Sequence, residues 1–213
     1  MNRSTLCRCG TLGLLLSLAP AAFASSNVDL AVKGTITPSA CTPQLGQDGV
    51  IDYGKIAARD LYHDGFTQLP LTNLPVSVNC QAPTLFALKP TDNRVGSSAS
   101  TSDGFGLGLV NGGERVGVYH IVLHTPLVEN APITQLQSLD SGHSWFVVEE
   151  NVGLPPLRLA AFGDASSGVW SPLPIQTLRL QMRVHTLIAP AQGLTLDREV
   201  PLDGSTTLDL IYL

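Results

Sequence analysis

The sequence predicts an all-β protein, an antiparallel β-sandwich. Three observations carry that prediction. Apolar residues alternate with polar ones at every second position, Pro and Gly interrupt the chain at short intervals, and helical periodicity is weak throughout. The chain has 213 residues with 20 Gly and 15 Pro; that density of Pro excludes long helices, because each one removes a backbone donor and clashes with the preceding turn. With 44% apolar and only 14% charged residues, there is material for a core and too little charge for disorder. The net charge of −5 argues against a nucleic-acid binder, which needs a basic footprint to neutralise phosphates.

Residues 1–24 have the pattern of a secretory signal: Arg3 and Arg8, an apolar run from Leu12 to Leu18, and the small-x-small site Ala22-Phe23-Ala24. The run is too short to span a bilayer. Residues 25–213 then form a single domain that starts at Ser25. Loss of the signal leaves 10 of the 12 basic residues against all 17 acidic ones. It also removes Cys7 and Cys9, so Cys41 and Cys80 remain as a pair in an exported chain, and an oxidising compartment favours a disulfide between them. Closing that loop stabilises by roughly 3–4 kcal/mol on the chain-entropy estimate.

The strands follow in order. Val28, Leu30 and Val32 alternate, as do Leu74, Val76 and Val78 up to Cys80. Val116 and Val118 lead into an apolar run from Tyr119 to Leu123; Leu178, Leu180, Met182 and Val184 alternate with Arg179, Gln181, Arg183 and His185; Leu208, Leu210 and Tyr212 close the chain. Period two with turn punctuation marks half-buried antiparallel strands, here seven to nine of them in a sandwich. Residues 132–140 could form one or two helical turns. Asp203-Gly204 is expected to be the turn of a hairpin between Val200 and Thr207. Residues 92–114 and 138–172, rich in Ser, Gly, Asp and Pro, are expected as long connections or insertions.

Catalytic signals are weak, and the chain is expected not to be an enzyme. His120 and His124 share a strand face but stand about 13 Å apart, too far to share a metal. Asp140-Ser141-Gly142-His143-Ser144 has the residue types of a triad, but a triad is defined by geometry and the same residues make an ordinary turn. The glycines at 104, 106, 108, 112 and 113 lack the Lys-Ser/Thr of a phosphate loop. They indicate a close backbone approach or a bulge, or else a groove open to another chain. Trp145 and Trp170, with Phe146 and Phe162 nearby, are expected in the core, with sugar stacking as the alternative. No metal and no cofactor is expected.

Around Cys41 a family pattern emerges. The run from Val32-Lys33-Gly34 to Ser39-Ala40-Cys41-Thr42-Pro43 resembles the opening of chaperone–usher fimbrial subunits. Ile51-Asp52-Tyr53-Gly54-Lys55-Ile56 is similar to their next strand. Leu74-Pro75-Val76-Ser77-Val78-Asn79-Cys80 is similar to the strand of the second pilin cysteine, and Leu208-Asp209-Leu210-Ile211-Tyr212-Leu213 to the last strand with its penultimate Tyr. The chain looks like a member of a divergent pilin-like group of fimbrial proteins in proteobacteria.

The resemblance implies an immunoglobulin-like, pilin-like sandwich that lacks its final strand, in a structural subunit of a chaperone–usher fimbria or surface appendage. It implies export through the periplasm to a fimbrium or the cell surface. The implied partners are a periplasmic chaperone, an outer-membrane usher, other fimbrial subunits, and a host or carbohydrate receptor. Leu208, Leu210 and Tyr212 would line the groove edge, a chaperone's basic residues would hold the Leu213 carboxylate, and Val28 and Leu30 would serve as donor strand. Only Ser25 to Ala31 precede the Val32 alignment point, and Val200 replaces the family's glycine; both departures point to a terminal, minor or self-complemented subunit. The alternative function is a self-contained secreted sandwich that binds a ligand such as carbohydrate.

Overall fold

The computed structural model describes residues 30–33, 40–100 and 103–213. The signal segment, Val28 and half of the 32–43 motif, residues 34–39, lie outside them. The chain divides into two units, Met1–Ile36 and Thr37–Leu213. The described part of the first is exposed, Leu30 and Val32 each at 88%. The second contains every strand named below.

Among the described residues fifteen strands follow one another: β1 (Cys41–Leu45), β2 (Thr67–Gln68), β3 (Thr72–Thr84), β4 (Phe86–Asp92), β5 (Phe105–Gly106), β6 (Leu109–Val110), β7 (Glu114–Arg115), β8 (Gly117–Val128), β9 (Ala131–Pro132), β10 (Thr134–Ser138), β11 (Phe146–Val147), β12 (Leu159–Asp164), β13 (Ser171–Pro172), β14 (Ile175–Ile188) and β15 (Thr206–Tyr212). Sheet A has the order β1-β3-β14-β8-β5, with β2 on β14 and β9 on β8; sheet B has the order β11-β10-β12-β4-β15, with β13 on β12. Strands β6 and β7 form a small ribbon. All strand pairs are antiparallel. The fold is therefore the antiparallel all-β sandwich expected.

The period-two pattern is realised in burial. On β14, Leu178, Leu180, Met182 and Val184 are buried, as are Leu74, Val76 and Val78 on the paired β3. They face Phe86, Leu88, Ala160 and Phe162 of sheet B in one core cluster. Burying a side chain of this size contributes about 1.5–3 kcal/mol.

The structure departs from expectation at several places, among them residues 51–56, likened to a pilin strand, which form no strand. Residues 134–138 form β10, not a helical turn. The 138–172 segment supplies β11, β12 and β13, and β12 lies inside sheet B with five of its six residues buried. Asp203-Gly204 turns no hairpin: the Asp203 N–H donates to the Leu107 carbonyl, and no strand occupies residues 194–205.

Two glycines are small for different reasons. A Cβ on Gly106 would meet Ser97 Oγ at 2.0 Å and the Arg94 carbonyl at 2.7 Å, the close approach expected of this stretch. Gly108 has φ +89°, a conformation that favours glycine. Pro90 interrupts β4 harmlessly. Its carbonyl accepts from the Leu157 N–H, so its missing donor faces away from β15, where Leu208 stands opposite.

Candidate functional site

The outermost strands of the two sheets, β1 and β15, lie on the same side of the sandwich. Among the described residues β1 pairs only with β3 and β15 only with β4, so no strand closes the gap between them. A cleft of about 270 Å³ opens there into the core. Its floor is Leu74, Met182 and Val184 with Tyr119 and Ile121. One lip is Leu45, Ile51 and Tyr53; the other is Leu202, Thr206 and Leu208. A second cleft of about 850 Å³ shares Ile51, Tyr53 and Leu202 and runs on past Ile56 and Leu196 over Val116 and Ile188. Together they form a long trough with an apolar floor, its larger part flanked by Asp52, Lys55, Asp197, Arg198 and Glu199.

Local chemistry builds each lip. The first begins as β1, where Cys41 stands directly opposite Cys80 and forms the disulfide with it across 39 residues of sequence. After Leu45 the chain leaves sheet A through Gln47, Asp48 and Gly49, with φ of 55°, 52° and 73°; left-handed backbone bends a chain sharply. Tyr53 then reaches across and donates its hydroxyl to Thr186 Oγ1 at 2.9 Å. The second lip is fixed by Arg94, whose guanidinium forms a two-pronged ion pair with Asp203 at 2.7 and 2.8 Å. This hydrogen bond holds Asp203 below the usual carboxylate range.

Hydroxyls tie the lips to the floor and to each other. Tyr119 shares a hydrogen bond with Thr206, and its ring stacks on Phe105 with centroids 5.2 Å apart. Burial pushes the Tyr119 phenol up to about 12. At the end of β15, the Cys41 N–H donates to the Tyr212 hydroxyl at 3.1 Å. That bond joins the rim of sheet A to the rim of sheet B and bounds the trough.

Of the residues singled out in the sequence, Leu208 lines the cleft and Leu210 packs partly buried on the core. Tyr212 bridges to the disulfide strand. Leu213 lies elsewhere: its N–H donates to the Leu85 carbonyl, and a Cβ built on Gly142 would stand 3.5 Å from both its Cδ2 and Trp145 Cζ2. Leu30 belongs to the other unit and Val28 is outside the described residues. The irregular lip from Gly49 to Tyr53 and the hydroxyl bridges were not anticipated. Tyr53 carried the one usable signal, an aromatic within a motif shared with the pilin pattern.

The remaining candidates resolve into structural features. Asp140 accepts from Ser138 Oγ, Ser144 Oγ and the Ser144 N–H at 2.7, 2.6 and 2.9 Å. The hydroxyl of Ser144, then that of Ser138, holds its carboxyl well below the ordinary range. His143 bonds the Asp140 carbonyl and not a serine hydroxyl, so the segment is a capped turn. Trp145 and Ile211 pack on Ala87, Leu159 and Ala161 on the outer face of sheet B, while Trp170, beside β13, is 40% exposed. Among the described residues no three His, Cys, Asp or Glu side chains gather as a metal site.

The fold and the site define a class: an antiparallel β-sandwich, stapled by one disulfide, with an apolar trough open between two strand edges. The family described as "Protein of unknown function (DUF1120)" matches residues 30–106, a span that holds both cysteines and the lip around Tyr53. Over 246 aligned residues the chain is 23% identical to Protein GltF of Escherichia coli (strain K12), covering 95% of this chain and 97% of that one. It is 21% identical over 226 residues to the Uncharacterized protein YhcF of the same organism, covering 92% and 94%.

Proposed function

We propose that the protein is an exported structural subunit of a surface appendage, of the divergent pilin-like kind, whose trough is filled by a β-strand from another chain. One observation carries this reading: a trough with an apolar floor reaches the core between β1 and β15, each of which pairs with a single strand among the described residues. An extended peptide fits such a site, because its backbone completes the ladder along β15 while every second side chain enters the floor. Unfilled, the same edge and apolar surface invite aggregation, which gives a periplasmic chaperone a purpose before an usher and a neighbouring subunit take over. Leu30, 88% exposed, belongs to the alternating segment that would be donated in turn, and the brevity of that segment suits a terminal or minor position. Catalysis has no part in this function.

The test is periplasmic expression of residues 25–213 with and without a cognate chaperone, scoring soluble yield, complex stoichiometry and thermal unfolding. The expected result is a one-to-one complex and rescued yield, both lost with Leu208→Asp, which sets a charge on the trough lip. A chain that is soluble alone, unfolds cooperatively and captures no chaperone would overturn the proposal.

A further inference from the structure

We propose that the outer face of sheet A, away from the trough, binds an acidic polysaccharide through Arg179 and Arg183. The inference starts from charge. The chain is acidic, yet by strand alternation the outward positions of β1, β3, β14 and β8 hold no Asp or Glu. Across three of these strands they present Arg179, Arg183 and His185 of β14, His120 and His124 of β8, and the neutral Asn73, Ser77 and Asn79 of β3. The register puts Arg179 beside Ser77, Arg183 beside Asn73, and His185 beside His120.

The way the two arginines are held is more informative than their number. Arg179 Nη1 donates to Asn130 Oδ1 at 3.2 Å, and Arg183 donates to Asn73 Oδ1 at 3.3 Å and Asn151 Oδ1 at 2.9 Å. Neither enters an ion pair among the described residues. A carboxylate partner would orient an arginine and cancel its charge; an amide oxygen orients it and leaves the charge in place. The field is felt nearby, since Arg183, after burial, holds His124 and His185 below the ordinary imidazole range. Carboxylates approach only from the margins: Asp103 acts on His120 and Glu150 on His124, and Glu129 is engaged by the Thr177 N–H.

The face is also concave. A cleft of about 540 Å³ there sets Gln44, Ser77, Thr125, Arg179 and Gln181 beside an apolar base that includes Val76 and Leu180. Beside it the β14–β8 ladder skips a residue between Arg179 and Gln181, and Thr125 takes φ 50°. A β-branched residue rarely adopts that conformation, and bulges of this kind re-aim side chains next to binding sites.

The spacing selects the ligand. Four residues along a strand separate the arginines by about 13 Å, with Gln181 between them. A polymer with sparse carboxylates and hydroxyls between fits that order: each carboxylate takes a guanidinium in paired hydrogen bonds, and the amides and Ser77 meet hydroxyls. A nucleic acid, with its dense phosphate charge, is opposed by the net charge of −5.

The experiment measures binding of the full exported chain to polygalacturonate at low salt, with neutral dextran and single-stranded DNA as controls. The expected result is salt-sensitive binding of polygalacturonate, weakened by roughly tenfold or more when Arg179→Gln and Arg183→Gln remove two sets of charge-assisted hydrogen bonds. Asn130→Asp with Asn73→Asp keeps both arginines and gives each a carboxylate; a similar loss is expected, with thermal unfolding showing that each variant folds. Absence of polygalacturonate binding, equal binding of dextran, DNA bound as tightly as polygalacturonate, or full binding by either double variant would overturn the proposal. None of these results bears on the trough, which is tested by chaperone capture.

Discussion

Strands β14 and β15 are written in the same pattern, leucine at alternate positions with polar residues between, and the sandwich treats them differently. On β14, Leu178 and Leu180 are 0% and 3% exposed, with β3 on one flank and β8 on the other. On β15, Leu208 and Leu210 point inward yet stay half-buried, because β4 is the only flanking strand among the described residues and the trough lies alongside. Alternation specifies which face turns inward. It does not specify whether anything covers that face; flanking strands decide that.

The sharpest way to break the comparison is to loosen the lip opposite β15. Cys41→Ser with Cys80→Ser should lower stability by about 4 kcal/mol, read by denaturant unfolding without reductant against the parent chain. Next, Leu178→Ala should cost about 3–5 kcal/mol through a sealed cavity. Leu208→Ala should cost about 1–2 kcal/mol, since part of its surface already meets solvent. Equal losses from the two leucines would erase the distinction between centre and edge. If a donated strand covers β15, the Leu208→Ala loss should grow in the complex with chaperone while the Leu178→Ala loss should not.

A smaller effect is alkaline. The Tyr119 phenol is raised from 10.0 to about 12 by burial, so its neutral form is favoured in the folded chain. Its contribution is fully present below pH 10 and is lost as pH rises toward 12, on the order of 2 kcal/mol. Tyr119→Phe should flatten that part of a stability–pH curve. Smallest is Tyr212→Phe, which removes the hydroxyl that accepts from the Cys41 N–H at a rim 44% exposed. About 0.5–1 kcal/mol is expected, measured by thermal unfolding.

Much of this was legible in the residues. The strands β3, β8, β14 and β15 follow from alternation, and the disulfide from the expected loss of Cys7 and Cys9 with a signal segment. β12 did not, because Leu159-Ala160-Ala161-Phe162 has no polar face: its outward side is covered by Trp145, and a strand covered on both sides does not alternate. β10 was hidden for a related reason, since Gln135 and Gln137 point inward and are buried. Of the trough, the β15 lip was visible and the lip from Gly49 to Tyr53 was not, because irregular backbone has no period to detect. The outward residues of β14 were visible only as the polar half of a pattern; their lack of carboxylate partners needed the neighbouring strands.

Asp209 adds one more consequence. It sits between Leu208 and Leu210, and its Oδ2 accepts from Thr91 Oγ1 at 3.2 Å on the outer side of sheet B. Sliding β15 by one residue against β4 would turn both leucines to water and drive the carboxylate inward. The strand thus carries its own spelling check: a misaligned copy of the sheet is rejected by chemistry at its centre, whatever happens along the free margin.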